Sequence, residues 1–235
     1  MKSLQKACLG IAALLLAAPS YAVDADAGTA ASNLFSIQPA ARPAGMANAF
    51  TAVGDDINSF YKNPAGLGYL RKSEAIASRF SGLGELDANT VAIAIPLGDV
   101  TASNVHHLGV FAVGISNLDY GNTELLDGNG DSNGEFDASD EILMVGWGKS
   151  FAGLGSVGAN LKLFRVEIYD QKDSGALLDV GAQYRIIPGS LTLGVLGRNL
   201  GDSISYEADD ADAPSSMSAG AAFMPLANDR LVLTL

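Results

Sequence analysis

The chain has one cysteine, one tryptophan and two histidines in 235 residues. A lone cysteine, at position 8, excludes a disulfide framework. Positive charge is scarce. Lys and Arg number 14 against 26 Asp and Glu, and a pI near 4.4 repels phosphates, which excludes a nucleic-acid partner. Charged residues are only 17% of the chain, apolar residues are 48%, and mean hydropathy is +0.21, a balance that excludes a disordered acidic segment. Beyond the N-terminus no long apolar run occurs, which excludes helical membrane spans. What is plentiful is glycine, 27 residues, in a chain of one domain's length.

The first 22 residues have the layout of a secretory signal peptide. Lys2 and Lys6 precede an apolar stretch from Leu9 to Ala18, and Ser20-Tyr21-Ala22 supplies small residues where a signal peptidase reads. The stretch is too short for a membrane anchor, and cleavage is expected after Ala22. Cleavage removes two positive charges and the only thiol, as suits an exported envelope protein of a bacterium.

The rest alternates with period two. Val91, Ile93, Ile95 and Leu97 are large and apolar, with small residues between them. Leu143, Val145 and Trp147 repeat the pattern, as do Val157, Leu161 and Leu163. The cleanest case sets Leu178, Val180, Ala182, Tyr184 and Ile186 against Asp179, Gly181, Gln183 and Arg185. Successive strand side chains point to opposite faces, so each segment has one apolar and one small or polar face. Strands are expected near 73–80, 88–97, 107–118, 140–151, 156–168, 176–187, 191–199, 215–224 and 229–235. Most are long enough to cross a bilayer at a tilt, and the small face suits an enclosed lumen. A secreted β-sandwich shares the period, but its polar face would carry more Lys, Glu and Thr.

The connections separate the two alternatives. Those at 98–106, 152–155, 188–190 and 225–228 are short or plain. Those at 81–87, 119–139, 169–175 and 200–214 hold more than half of the 26 acidic residues and one base, Lys172. Acidic loops on one side and tight turns on the other is the asymmetry of an outer-membrane barrel. Phe111, Trp147, Phe151, Tyr184 and Phe223 would fall near the turn-side interface, and Tyr120 and Tyr169 at the outer rim. One strand slips phase: after Leu161 and Leu163 the apolar set becomes Phe164, Val166 and Ile168. That predicts a β-bulge near Phe164–Arg165, or a strand end above the membrane.

Residues 23–72 do not alternate. A short helical stretch is expected about Asp56 to Tyr61, ending before Pro64. The text Ala41-Arg42-Pro43-Ala44-Gly45-Met46, Ala49-Phe50, Asp55-Asp56 and Phe60-Tyr61-Lys62-Asn63-Pro64-Ala65-Gly66-Leu67 resembles the start of the PorV/PorQ family, within the FadL-like group of outer-membrane barrels. Weaker matches are Asn117 to Gly121, Phe136 to Asp140, Arg198-Asn199-Leu200-Gly201 and Pro214 to Phe223. The resemblance implies an all-β fold, a transmembrane antiparallel up-and-down β-barrel of about fourteen strands when complete, with the N-terminal segment packed inside. Only about nine strands are legible, and the last stops at Leu235, so a C-terminal truncation is expected. The expected organisation is a signal peptide at 1–22, a plug at 23–72 and a barrel at 73–235.

No catalytic set stands out, so no enzyme and no cofactor are expected. His106 and His107 are neighbours in a turn, and neighbouring strand residues face opposite ways. Asn129, Asp131, Asn133, Asp137 and Asp140, with Gly134, have the spacing of a calcium loop, but Asn opens it, Asp closes it and no helices flank it. Calcium and an unliganded acidic loop both stay open. Lys162, Asp179, Arg185 and Arg198, with Asn160 and Gln183, are expected in the lumen, where they hold the plug or line a solute path; Asp55 and Asp56 are candidate partners for the bases. Asp179→Asn is expected to cost much less than Val180→Arg. The family resemblance implies residence in the outer membrane of a Gram-negative bacterium, in contact with its lipid. It implies a channel or envelope transport component for hydrophobic small molecules. The alternatives are a type IX secretion accessory that holds secreted proteins, and a structural surface barrel.

Overall fold

The computed structural model describes residues 35, 40–54, 56–82, 86–98, 107–126, 128, 130–151, 154–169, 171–205, 210–211, 213–224 and 233–234. The expected signal peptide at 1–22 and positions Asp55, His106 and Asn129 lie outside the described residues.

The period-two segments become β1 (Glu74–Ser81), β2 (Asp87–Leu97), β3 (Gly109–Leu126), β4 (Ser132–Phe151), β5 (Gly155–Ile168), β6 (Gln171–Ile187) and β7 (Leu191–Gly201). After them come β8 (Ile204–Ser205), β9 (Asp210–Ala211), β10 (Ser216–Phe223) and β11 (Leu233–Thr234). Every pairing is antiparallel. The order β1-β2-β3-β4-β5-β6-β7-β10-β11 makes one meander, and β8–β9 is a separate small hairpin between β7 and β10. The fold is all-β and up-and-down. The sheet is open, not closed into a barrel: β1 and β11 are its edges.

Register fixes what each face carries. Ile93 lies opposite Val113, Val113 opposite Val145, Val145 opposite Leu161, and Leu161 opposite Leu178. A second row runs Ile95, Phe111, Trp147, Ala159, Val180. These rows share the outer face, where Val91, Ile115 and Val195 are each more than half exposed. The opposite face is buried and carries Ala92, Gly114, Gly146, Gly158, Asn160, Asp179 and Gly181, among others. The sheet is therefore inverted relative to a protein folded around an oily core: its bulky side chains point away from the packed interior.

Two sequence expectations change. The acidic connection at 119–139 is mostly strand, because β3 and β4 run 18 and 20 residues and form a long hairpin. Register shifts interrupt its ladder between Asp119 and Asn122, and between Glu124 and Leu126. No bulge occurs at Phe164–Arg165: β5 pairs with β4 in unbroken register from Phe151↔Gly155 to Ala138↔Ile168. Phe164 and Val166 instead keep the inward phase and are buried, because the interior itself turns apolar toward this end, with Leu118, Ile142 and Leu177 beside them. Phe35 closes edge-on over Phe164 at 5.5 Å.

The N-terminal segment lies on the inner face. It contains α1 (Ala41–Gly45) and two 3-10 helices, Ile57–Tyr61 and Pro64–Tyr69. The first matches the expected helical stretch; Asp56 caps it by accepting from the Asn58 amide at 2.9 Å. The second follows at once, since Pro64 is tolerated at a helix start and Asn63 supplies the cap. No described helix is long and apolar enough to cross a membrane.

Candidate functional site

The candidate site is the seam between the N-terminal segment and the inner face of β3–β7. Asn63, fully buried, is its hub. Its Oδ1 accepts from the Ala65 amide at 3.2 Å, and its Nδ2 donates to the carbonyls of Thr51 at 2.7 Å and Val195 at 3.2 Å. One side chain thus caps a helix, closes the segment's own loop and ties it to β7. Asn160 on β5 donates to the Phe60 carbonyl at 2.6 Å. Gln183 on β6 donates to the carbonyls of Thr51 and Val53 at 3.0 and 3.2 Å. The Ile57 amide donates to Glu74 on β1 at 3.0 Å.

Glycines on the wall make this approach possible. A Cβ at Gly158 would overlap the backbone at Pro64 and Ala65, one at Gly181 would overlap the Asn63 side chain, and one at Gly194 would overlap the Thr51 carbonyl. At Gly148 it would meet Pro64 and Leu67. The small inner face is thus shaped to the segment as a seat, with backbone against backbone. Alternation alone gave the small residues; their purpose is visible only against the segment.

The expected lumen residues are brought together in part. Lys162 and Asp179, 5% and 1% exposed, form an ion pair at 2.7 Å. Lys162 also donates to Asn199 Oδ1 at 2.7 Å, and Asp179 accepts from the Asn199 amide at 2.8 Å. Asn199 sits at a bulge in β7, where Val180 pairs Gly197 but Leu178 pairs Leu200, and its backbone is left-handed (φ 52°). Asn tolerates that conformation better than most residues. This network sits within the wall, so Asp179 is an ion-pair partner and no longer a cheap site to neutralise. Arg185 is elsewhere, its guanidinium 3.6 Å over the Tyr69 ring.

Asp56 does not partner a lumen base. It pairs with Arg42 of its own segment, so the segment carries its own counter-ion. Lys62, which sequence reasoning passed over, is the segment's buried cation. It donates to Asn48 at 2.8 Å and is held down to about 7 by burial first and by Arg198 second. Burial also pushes the neighbouring Tyr61 phenol up.

The described part of the calcium spacing is mostly strand. From Ser132 the chain is strand, so Asn133, Asp137 and Asp140 are laid out along β4 and cannot curl around one ion. Asp137 pairs with Asn122, while Asp140 turns inward and accepts from Tyr120 at 2.7 Å. Among the described residues no group of three or more His, Cys, Asp or Glu could hold a metal ion. Tyr120, half-buried, thus faces the interior at this end of the sheet. Phe111 and Trp147 are direct partners, and Phe151 and Tyr184 both lie opposite Gly155, as the turn-end cluster requires. Tyr169 is exposed and edge-on to Phe136 at 6.0 Å. His107 is exposed in a turn. Compared with known proteins, the chain matches no protein-family model and no curated protein.

Proposed function

We propose that the chain is the wall and plug of an outer-membrane β-barrel of the PorV/PorQ type, serving as an envelope transport component for hydrophobic small molecules. One observation carries the membrane part: rows of Val, Ile and Leu cover the exposed face, while Lys, Asp, Asn and Gln lie on the buried one. A fully exposed side chain of this kind forgoes about 1.5–3 kcal/mol in water, and one about half exposed roughly half of that; water-exposed proteins rarely present contiguous apolar patches beyond a few hundred Å². Hydrocarbon removes that cost. The reading requires the edges of β1 and β11 to be covered in the bilayer, since each bare backbone polar group there costs several kcal/mol.

The transport part is supported by the apolar interior at the acidic-loop end, where Leu118, Ile142, Phe164, Val166 and Leu177 pack with Phe35 and Phe60 of the N-terminal segment; displacing that packing would bare a surface suited to a greasy solute. The glycine seat favours a second reading. A segment packed backbone to backbone on the wall leaves no open path there, as in a secretion accessory or a structural surface barrel. Mass spectrometry of the full-length protein extracted in mild detergent decides between them. A stoichiometric copurified lipid or fatty acid supports transport, and its absence, with cell-surface proteins captured instead, supports the second. Recovery as a compact monomer in the aqueous fraction without detergent overturns both.

A further inference from the structure

We propose that the outer face at the turn end holds an anionic phospholipid, with its phosphate against Lys149 and an acyl chain in the trough beside it. The proposal rests on the membrane reading above and names the lipid that this face takes.

Three observations carry it. First, the face is not uniformly bulky there. Ala182 stands between Val157 and Val195 in one cross-strand row, and Gly155 stands between Phe151 and Tyr184 in the next. The two gaps are diagonal neighbours on β5 and β6, so they join into one trough of about 360 Å³, walled by those four bulky side chains. The row of Ile93, Val113, Val145, Leu161 and Leu178 has no such gap. Second, the four walls are 40% exposed or more, so the trough is open along the face and takes a hydrocarbon chain laid into it. Third, Lys149 on β4 lies opposite Val157, in the same row as Ala182. Its ammonium is 5.8 Å from the centre of the Phe151 ring, one wall of the trough. Among the described residues no carboxylate pairs with Lys149, and it is the one charged side chain on the outer face at the turn end of β4–β7. A lysine at such a level keeps its stem on apolar surface and its ammonium among the headgroups. An unpaired ammonium beside a hydrocarbon trough fits a molecule that is anionic at one end and greasy at the other, and a point charge suffices for phosphate. A zwitterionic lipid carries its own cation, which offsets the gain.

The test uses the full chain refolded into vesicles of equimolar phosphatidylcholine and phosphatidylglycerol, with bromine on the chains of one lipid or of the other. Bromine quenches tryptophan, and the single Trp147 lies two residues before Lys149 on the same face, about 7 Å away. Quenching should report phosphatidylglycerol favoured about fivefold, the effect of one lysine beside an anionic headgroup. Lys149→Gln should bring the ratio to about one. So should Ala182→Leu, which fills the trough and keeps the charge. Lys72→Gln, which removes an exposed cation ahead of β1, should leave the ratio unchanged. Equal quenching by the two labels in wild type overturns the site and leaves the membrane reading standing; a crosslinked dimer in that case gives the trough to a second copy of the chain. Quenching by neither label overturns the membrane reading and the site with it. A ratio that Lys149→Gln leaves unchanged, or that Lys72→Gln lowers as much, also overturns the site. Circular dichroism checks the folding of each variant, and the exchange of labels on wild type decides the matter even if the variants misfold.

Discussion

Val180→Arg and Asp179→Asn probe the two faces of one strand. Val180 is 40% exposed in a row of apolar partners, with Ala159 and Gly197 opposite it. If that face meets water, an arginine there changes stability by no more than about 0.5 kcal/mol, as other surface substitutions do. If it meets the middle of a bilayer, the cost is about 2–4 kcal/mol, falling to about 0–1 near the interface. Ile186→Arg, two positions before the turn at 188–190, is the control for depth and should cost clearly less than Val180→Arg. Asp179→Asn acts differently. It leaves the buried Lys162 ammonium without its carboxylate and should cost about 3–5 kcal/mol, the reverse of the sequence expectation. Lys162→Met combined with Asp179→Leu removes both charges and should recover most of that loss. The assay is equilibrium urea unfolding of protein refolded into phosphatidylcholine vesicles, followed by tryptophan emission from Trp147. A Val180→Arg variant as stable as wild type would refute the outward, lipid-facing assignment.

Gly158→Ala should unseat the N-terminal segment, because its methyl meets backbone at Pro64 and Ala65; a cost of about 1–3 kcal/mol and faster proteolysis between β1 and α1 are expected, and unchanged cleavage would contradict the seat. Asn63→Ala removes a helix cap and two further hydrogen bonds and should cost at least about 1 kcal/mol by urea denaturation. Lys62 makes stability depend on pH. Its folded value of about 7 lies below the ordinary lysine value of 10.5, so the unfolded chain binds more protons between those limits and stability should rise with pH from 7 toward 10.5. Below pH 7 both states are protonated and the penalty is fully present. Thermal melts of wild type and Lys62→Met should diverge across that window, and parallel profiles would exclude Lys62 as the source.

The sequence alone determined the strands and their facing. Period-two alternation is a local property of the chain, so β2, β5, β6 and β7 were legible to within a few residues, and Val180 was placed outward and Asp179 inward. It also located the helical stretch that ends before Pro64, since proline geometry acts over a few residues. The tertiary structure alone decided what the inner face packs against. Phe164 and Val166 looked like a phase slip because apolar residues were assigned to one face, yet the interior they enter is itself apolar beside Leu118 and Leu177. Lys162 found Asp179 on the next strand, and Asp56 found Arg42, because ion-pair partners are chosen by cross-strand register and loop closure, which alternation does not encode. The acidic hairpin tip read as a loop because polar residues on both faces erase the alternation, although β3 and β4 continue pairing through it. Small residues at Gly158, Gly181 and Gly194 were visible in the text, but a seat is a relation between two surfaces and takes shape only when residues 40–70 lie against them.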